Sequence, residues 1–362
     1  GLCLYTPGLK PAYVPVAHES LVTGGLMKCN LNKQVAIDGM MRIKDAGVFI
    51  IFHHAKFDYE FLLVDFGVKF TVGWDTKIAS NMIDENARSH SLKNLYAEHI
   101  KQEDAPVLFE QLFKKLKFSY LNPATAKLYA AKDALMTYEL YLWQKKLIEK
   151  WRKEGGWEDW YKLLTEVEFP LTTVCGDMEL NGFRFDLDRA AELDEKYTAR
   201  MEEIQSRFNS IVAKYADDIE LFKQRTPKHG LSDPILITSP KQLATLLYDI
   251  VGLKNSNGTR STDEKSLRSM NTDLTDCILE YREVSKLLST YIVALPKMVH
   301  PDGRLRGSFN QYGANTGRFS SSEPNFQNIP SHNKEIRPMF MPGEGNVLVG
   351  GDFSKQELLI CA

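Results

Sequence analysis

Gly47-Val-Phe-Ile-Ile-Phe-His-His-Ala-Lys-Phe-Asp58 decides how the first half of the chain folds. Gly47 breaks a helix, and Val48–Phe52 is a continuous apolar run of the kind that forms a strand buried on both faces. A helix follows within a few residues. Upstream, Leu31–Asp45 carries Leu31, Val35, Ile37 and Met41 near 3.6-residue spacing and reads as a helix. Downstream, Phe57–Phe66 reads as a helix that Gly67 stops. Leu2–Tyr5 and Ala12–Val16 are β-like runs broken by Pro7-Gly8, the pattern of a hairpin. Several helices then lead to a last one over Thr125–Lys153. The alternation predicts an α/β layer domain with a central sheet.

Glu154-Gly155-Gly156 marks a candidate boundary, and the chain beyond it reads as mostly helical up to about Leu295. Ser239-Pro240 opens one helix as cap and first residue. Ser261 with Glu264 has capping-box spacing for another. Leu274–Leu295 reads as a long helix ended by Pro296. His300-Pro-Asp-Gly303 is a turn before strand-like Arg304–Tyr312, and a polar loop covers Asn315–His332. A last strand, Asn346–Phe353, runs into a helix.

The 362 residues leave room for two or three domains. With 43% hydrophobic and 25% charged residues, the composition excludes disorder and a disulfide-stapled mini-protein. Lys plus Arg number 45 against 47 Asp plus Glu, so binding of nucleic acid by bulk positive charge is excluded. Cys3, Cys29, Cys175, Cys277 and Cys361 are scattered, with no Cys-x-x-Cys spacing, which argues for a reducing, cytoplasmic setting. No apolar run approaches the ~20 residues of a membrane-spanning helix, and no signal peptide is visible. A start at Gly1 and a stop at Ala362 within an apolar run read as the cut ends of a longer protein.

Three side chains in the first half suggest chemistry. Tyr129 and Asp133 lie four apart on one helix face. Asp58 sits in the first helical turn after a buried strand, where ligand sites of α/β sheets gather. Two such carboxylates could hold divalent metal while the Tyr hydroxyl orients water, which suits two-metal hydrolysis of a phosphodiester. Asp58 could equally serve the helix dipole. His53 and His54 read as local hydrogen-bonding groups.

In the second half, Thr316-Gly-Arg-Phe-Ser-Ser-Ser-Glu-Pro-Asn-Phe-Gln-Asn-Ile-Pro330 strings Arg, Asn and Gln donors on a backbone fixed by Gly and Pro. Donors of this kind match minor-groove acceptors common to every base pair, although an ordinary surface loop shares the composition. Asp352 ends the last strand beside Gly350 and Gly351, where it could face a metal-bound phosphate or simply form a turn. Ser354 and Glu357 have capping-box spacing.

Together these segments resemble family A DNA polymerases. Thr316–Pro330 is similar to that family's Thr-Gly-Arg loop, and Asp352-Phe-Ser-Lys-Gln-Glu-Leu-Leu359 to its first palm motif. Leu128–Leu135 and Ala55–Asp58 are similar to its third and second proofreading-exonuclease motifs. Glu168-Phe-Pro-Leu, Ser239-Pro-Lys-Gln-Leu243 and Lys286-Leu-Leu-Ser-Thr-Tyr291 are further landmarks. The resemblance implies a ribonuclease H-like 3′–5′ exonuclease domain over 1–153, a linker and first palm helix over 157–200, a thumb over 201–298, and an α+β palm portion over 299–362. It implies that Asp352 and the Phe353 carbonyl hold Mg²⁺, with Mn²⁺ as a substitute, and that Glu357 excludes a 2′-hydroxyl. Asp58 and Asp133 would hold the exonuclease metals, with Tyr129 orienting water. Arg318, Asn325, Gln327, Asn328 and the thumb residue Lys286 would contact primer–template DNA, and deoxynucleoside triphosphates would be the other substrate.

His54 departs from the family's usual Asn, and Lys355, Gln356 and Leu359 from its usual Gln, Ile and Arg. The family's Asp-x-Glu pair is expected on a strand before Gly1, and its fingers helix and His-Asp-Glu motif do not occur in the sequence. The reading is therefore a polymerase piece inactive in synthesis by itself, cytoplasmic and nucleoid-associated or in a phage host. Its rivals are a stand-alone Asp-Glu-Asp-Asp nuclease and an inactive primer–template binding module. The resemblance names no particular processivity factor.

Overall fold

The computed structural model describes residues 1–101, 114, 116–226, 228, 230–255, 258–314, 316–331 and 333–361. Two compact units emerge: Gly1–Asn181 with Gly307–Glu323, and Gly182–Arg306 with the chain from Pro324 on.

The first unit opens with the expected hairpin, β1 (Leu2–Leu4) antiparallel to β2 (Ala12–Val14). Asn32 caps α1 (Lys33–Asp45) by accepting from Gln34 N at 2.8 Å. Only the end of the apolar run forms a strand: β3 (Ile51–Phe52) pairs in parallel with β4 (Trp74–Asp75). Val48 and Phe49 are exposed, because no strand flanks them among the described residues. Among the described residues, separate two-stranded pairs stand in this unit in place of the expected central sheet. Next come α2 (Ala55–Phe66), closed by a left-handed Gly67, α3 (Thr76–Ile83) and α4 (Leu92–His99). The long α5 spans Pro123–Glu154 from an Asn122 cap. After α6 (Glu158–Lys162) and a wide turn, α7 (Phe169–Asn181) packs against α2. The core gathers Trp74, Ile78, Ile148, Leu164 and Phe169, and a buried Gln144 ties Trp74 Nε1 (3.0 Å) and Thr76 O (2.8 Å) to α5. A second hairpin, Ser308–Asn310 with Ser320–Ser322, completes the unit.

In the second unit, β5 (Phe183–Phe185) lies between β6 (Arg304–Leu305) and β7 (Phe340–Met341), both antiparallel to it. The helices are α8 (Leu187–Ala213), α9 (Ala216–Arg225), α10 (Pro240–Ala244), α11 (Glu264–Met270) and α12 (Asp273–Leu287). α8 packs along α12 over a core that includes Ile204, Phe208, Leu246, Leu267 and Ile278. Ser239 and Pro240 open α10 as the sequence implies. Asp263, not Ser261, caps α11, taking Ser266 N at 2.7 Å; it sits directly before the helix, where its charge also suits the dipole. α12 ends earlier than expected. Its backbone widens over Leu288–Ile292, Val293 N reaching Leu288 O, before a short turn that holds Pro296. Gly303 closes the expected turn on His300 O at 2.9 Å with φ 74°.

The last expected strand does not form. Residues 347–353 take no regular secondary structure and are exposed, Val349 at 90%, and no strand lies alongside them among the described residues. A single segment of this kind leaves its N–H and C=O groups to water, so the apolar run has no ladder to join. The final helix, α13, is Gln356–Cys361. Asn315 and His332, which bound the expected polar loop, and Ala362 lie outside the described residues.

Candidate active site

The first unit builds an acidic corner where its strands meet α2, α3 and α5. His54 turns the chain from β3 into α2 with φ 71°, a left-handed conformation that His and Asn tolerate better than most residues. The α2 N-terminus takes its acceptor from elsewhere. Asp75 accepts from His54 N (3.1 Å) and Ala55 N (2.7 Å), and also from Lys77 N (2.8 Å) and Ile78 N (3.2 Å). One wholly buried carboxylate therefore caps two helices. Burial pushes its carboxyl up, and the four N–H groups oppose that.

Asp58 stands in the first turn of α2, as the sequence implies. Burial, then the charge of Asp75, pushes its carboxyl up to about 7. Asp133 on α5 is also raised by burial, with Lys93 and Lys132 opposing. Both acids act on one group, the Cys3 thiol on β1. Burial and Asp133 raise it most, the N-terminal ammonium opposes, and Asp58 adds to bring it to about 11. Asp58 and Asp133 thus both carry their charge into the surroundings of β1. Tyr129 lies one turn before Asp133, its hydroxyl against Lys93 Nζ, which also sits 3.5 Å over its ring. His53 bonds Thr76 Oγ1 at 2.9 Å, and burial lowers His53 to about 3 and His54 to about 4, so both are neutral at pH 7.

In the second unit, a cavity of about 310 Å³ is lined by Lys286, Tyr291, Asn325, Asn328 and Phe340 among others. Lys286 comes from the last turn of α12. Asn325 takes Gln327 N at 2.9 Å and caps a short turn over Phe326–Asn328, and Tyr291 donates to Asn328 O. Lys286, Asn325 and Asn328 are thereby gathered, with Gln327 exposed on the same turn. Arg318 is exposed on the second hairpin of the first unit. Asp352, Phe353 and Glu357 are exposed around the start of α13, and among the described residues no three His, Cys, Asp or Glu side chains form a metal-sized group.

Sequence reasoning missed Asp75, Cys3 and Lys93. Asp75 carries a usable signal, an acid directly before the helix it caps. Cys3 in a short β run and Lys93 on a polar helix face carry none.

The chain thus joins an α/β unit that carries Asp58 and Asp133 to a helical unit built on a small antiparallel sheet. The sequence model described as 3′-5′ exonuclease matches residues 26–149, and that of DNA polymerase family A matches 188–362. Residues 188–362 thus belong to DNA polymerase family A, behind a region matched by the 3′-5′ exonuclease model. It is 33% identical to a DNA polymerase I of Chloroflexus aurantiacus over 86% of this chain and 32% of that protein. It is 30% identical to a DNA polymerase I of Pseudomonas aeruginosa over 97% of this chain and 37% of that one. The chain thus spans about a third of the length of these relatives. A solved polymerase domain of Pol1 from M. smegmatis, in complex with DNA primer-template and dNTP, shares the fold at a TM-score of 0.67 and 24% identity, over 88% of this chain and 50% of that one. No helix among the described residues is long and apolar enough to cross a membrane.

Proposed function

We propose that the chain supplies the 3′–5′ exonuclease region, the duplex-gripping helices and the first palm acid of a template-directed DNA polymerase acting in DNA replication and repair in the cytoplasm. The observation that carries this is the order of the two family matches, the exonuclease one over 26–149, which contains Asp58, Tyr129 and Asp133, ahead of the polymerase one over 188–362. Two part-buried carboxylates raised by desolvation are suited to a hard divalent cation. Asp58 and Asp133 would hold Mg²⁺, with Mn²⁺ as substitute, and the ion would supply Lewis-acid activation of water and phosphate. Tyr129, held by Lys93, orients the attacking water.

Lys286, Asn325, Gln327 and Asn328 in the second unit, and Arg318 on the hairpin, contact the backbone and minor groove of primer–template DNA. Asp352 and the Phe353 carbonyl serve the polymerase metals, Glu357 excludes ribonucleotides, and deoxynucleoside triphosphates are the substrate. The solved Pol1 neighbour, bound to primer-template and dNTP, supports these two as the ligands. The working boundaries are 1–153 for the exonuclease-like region, 157–200 for the linker and first palm helix, 201–298 for the thumb and 299–362 for the palm portion.

The test is metal-dependent shortening of single-stranded DNA from its 3′ end, set beside primer extension, using the purified 362-residue chain. Any shortening is expected to disappear in Asp133→Ala and without divalent metal. No primer extension is expected, because Asp352 belongs to no group of three His, Cys, Asp or Glu side chains among the described residues. Extension above a blank, or shortening that survives Asp133→Ala, overturns the assignment.

A further inference from the structure

The hairpin of Gly307–Glu323 belongs to the stretch matched by the polymerase family, yet it folds as part of the first compact unit. What holds it there is specific. Lys56 on α2 is buried and donates to Glu179 Oε1 on α7 (2.5 Å), Ser308 Oγ (3.1 Å) and Phe309 O (2.8 Å). An ammonium has three donors, and all three are used. Glu179 Oε1 also takes Phe309 N at 2.5 Å. Two residues further on, buried Gln311 donates to Glu168 O (2.9 Å) and accepts from Thr172 Oγ1 (3.1 Å).

A buried lysine is uncommon unless paired, and an ion pair that only fastens helices would need no contact with the hairpin. Here the ammonium reaches the hairpin backbone and fixes the register of the strand that leads to Thr316–Arg318. It does so from the first turn of α2, two residues before Asp58. We infer that Lys56 and Glu179 are positioning residues: they fasten the Arg318-bearing hairpin to the α2 turn that carries Asp58, so that duplex DNA at the hairpin tip stiffens that turn. The inference rests on the reading of Arg318 as a DNA contact.

The experiment measures amide exchange of residues 51–60 in the purified chain, with and without excess primer–template duplex, alongside duplex affinity by fluorescence anisotropy. Duplex is expected to slow exchange across 51–60 by about threefold to tenfold, the range set by coupling between sites of this kind. Arg318→Ala removes the slowing. Lys56→Met removes it too and weakens duplex binding by roughly the same factor. Lys56→Arg, which keeps the charge, recovers much of both. A purely structural lysine leaves the duplex-dependent slowing intact. Should Lys56→Met fail to fold, Ser308→Ala combined with Gln311→Ala loosens the hairpin without stranding a charge and takes its place. Duplex that binds without slowing 51–60, or slowing that survives in the loosened variants, overturns the inference. A chain that binds no duplex overturns the DNA-contact reading itself, and the inference falls with it.

Discussion

The acids of the first unit and those at the end of the second live under opposite physical conditions. Asp58, Asp75 and Asp133 are enclosed by α2, α3, α5 and β1, and burial raises all three. Asp352 and Glu357 are exposed, on a segment with no strand alongside it among the described residues. Enclosure forces each carboxylate either to find donors or to hold its proton. Asp75 found four N–H groups and became structural. Asp58 has no hydrogen bond to its carboxylate among the described residues, and this leaves it free for a cation. Solvent demands nothing of Asp352, so its fitness for chemistry depends on what is brought to it.

The largest effect that can break this contrast is at Asp75. Asp75→Ala leaves two helix N-termini uncapped and buried N–H groups without an acceptor, at a cost of about 2–4 kcal/mol. Urea unfolding monitored by far-UV circular dichroism reads it. A loss under 1 kcal/mol would mean that water replaces the carboxylate and that the corner is not closed.

Asp58 is expected to act with the opposite sign. The folded carboxyl keeps its proton up to about 7, whereas an unfolded Asp releases it near ~4. The folded chain therefore holds an extra proton between those values, and its stability falls as the pH rises through that window. Asp58→Asn removes the loss. It should leave stability at pH 4 unchanged and raise it at pH 8 by on the order of 1–3 kcal/mol, read from urea midpoints at both pH values. An Asn variant no more stable at pH 8 would show that Asp58 is better solvated than its surroundings imply.

Much of this corner was legible in the sequence. Asp58 after an apolar run, Gly67 as a stop and Tyr129 one turn before Asp133 all follow from local chemistry, and local chemistry survives folding. The double role of Asp75 was not legible, because its donors come from segments 20 residues apart along the chain. The tie from Lys56 to Phe309 spans 253 residues, beyond any periodicity argument. Asn346–Phe353 failed for the converse reason: its composition is that of a strand, but pairing is a property of two segments, and local sequence describes only one.

Lys286 offers an intermediate test. It lines the cavity beside Asn325 and Asn328, at the end of α12 away from the core. Lys286→Ala should weaken duplex binding by about 1 kcal/mol and reduce the slope of log affinity against log salt by ~1, uniformly across sequences. Anisotropy titrations across a salt series decide it. An unchanged slope would remove Lys286 from the phosphate contacts.

The smallest expected effect is at Asp352. Among the described residues no burial, ion pair or helix cap recruits its side chain, so Asp352→Ala should change the stability of this chain by less than about 0.5 kcal/mol, as for other surface positions away from such features. Urea unfolding at pH 7 of the variant beside wild type measures it. The outcome matters because of the contrast with Asp75: an acid whose removal costs nothing in the fold, at the head of a family-matched motif, has only chemistry to account for its placement. A loss above 1 kcal/mol would instead give Asp352 a structural role in the 347–361 segment, and the difference between the two acidic regions would narrow to one of degree.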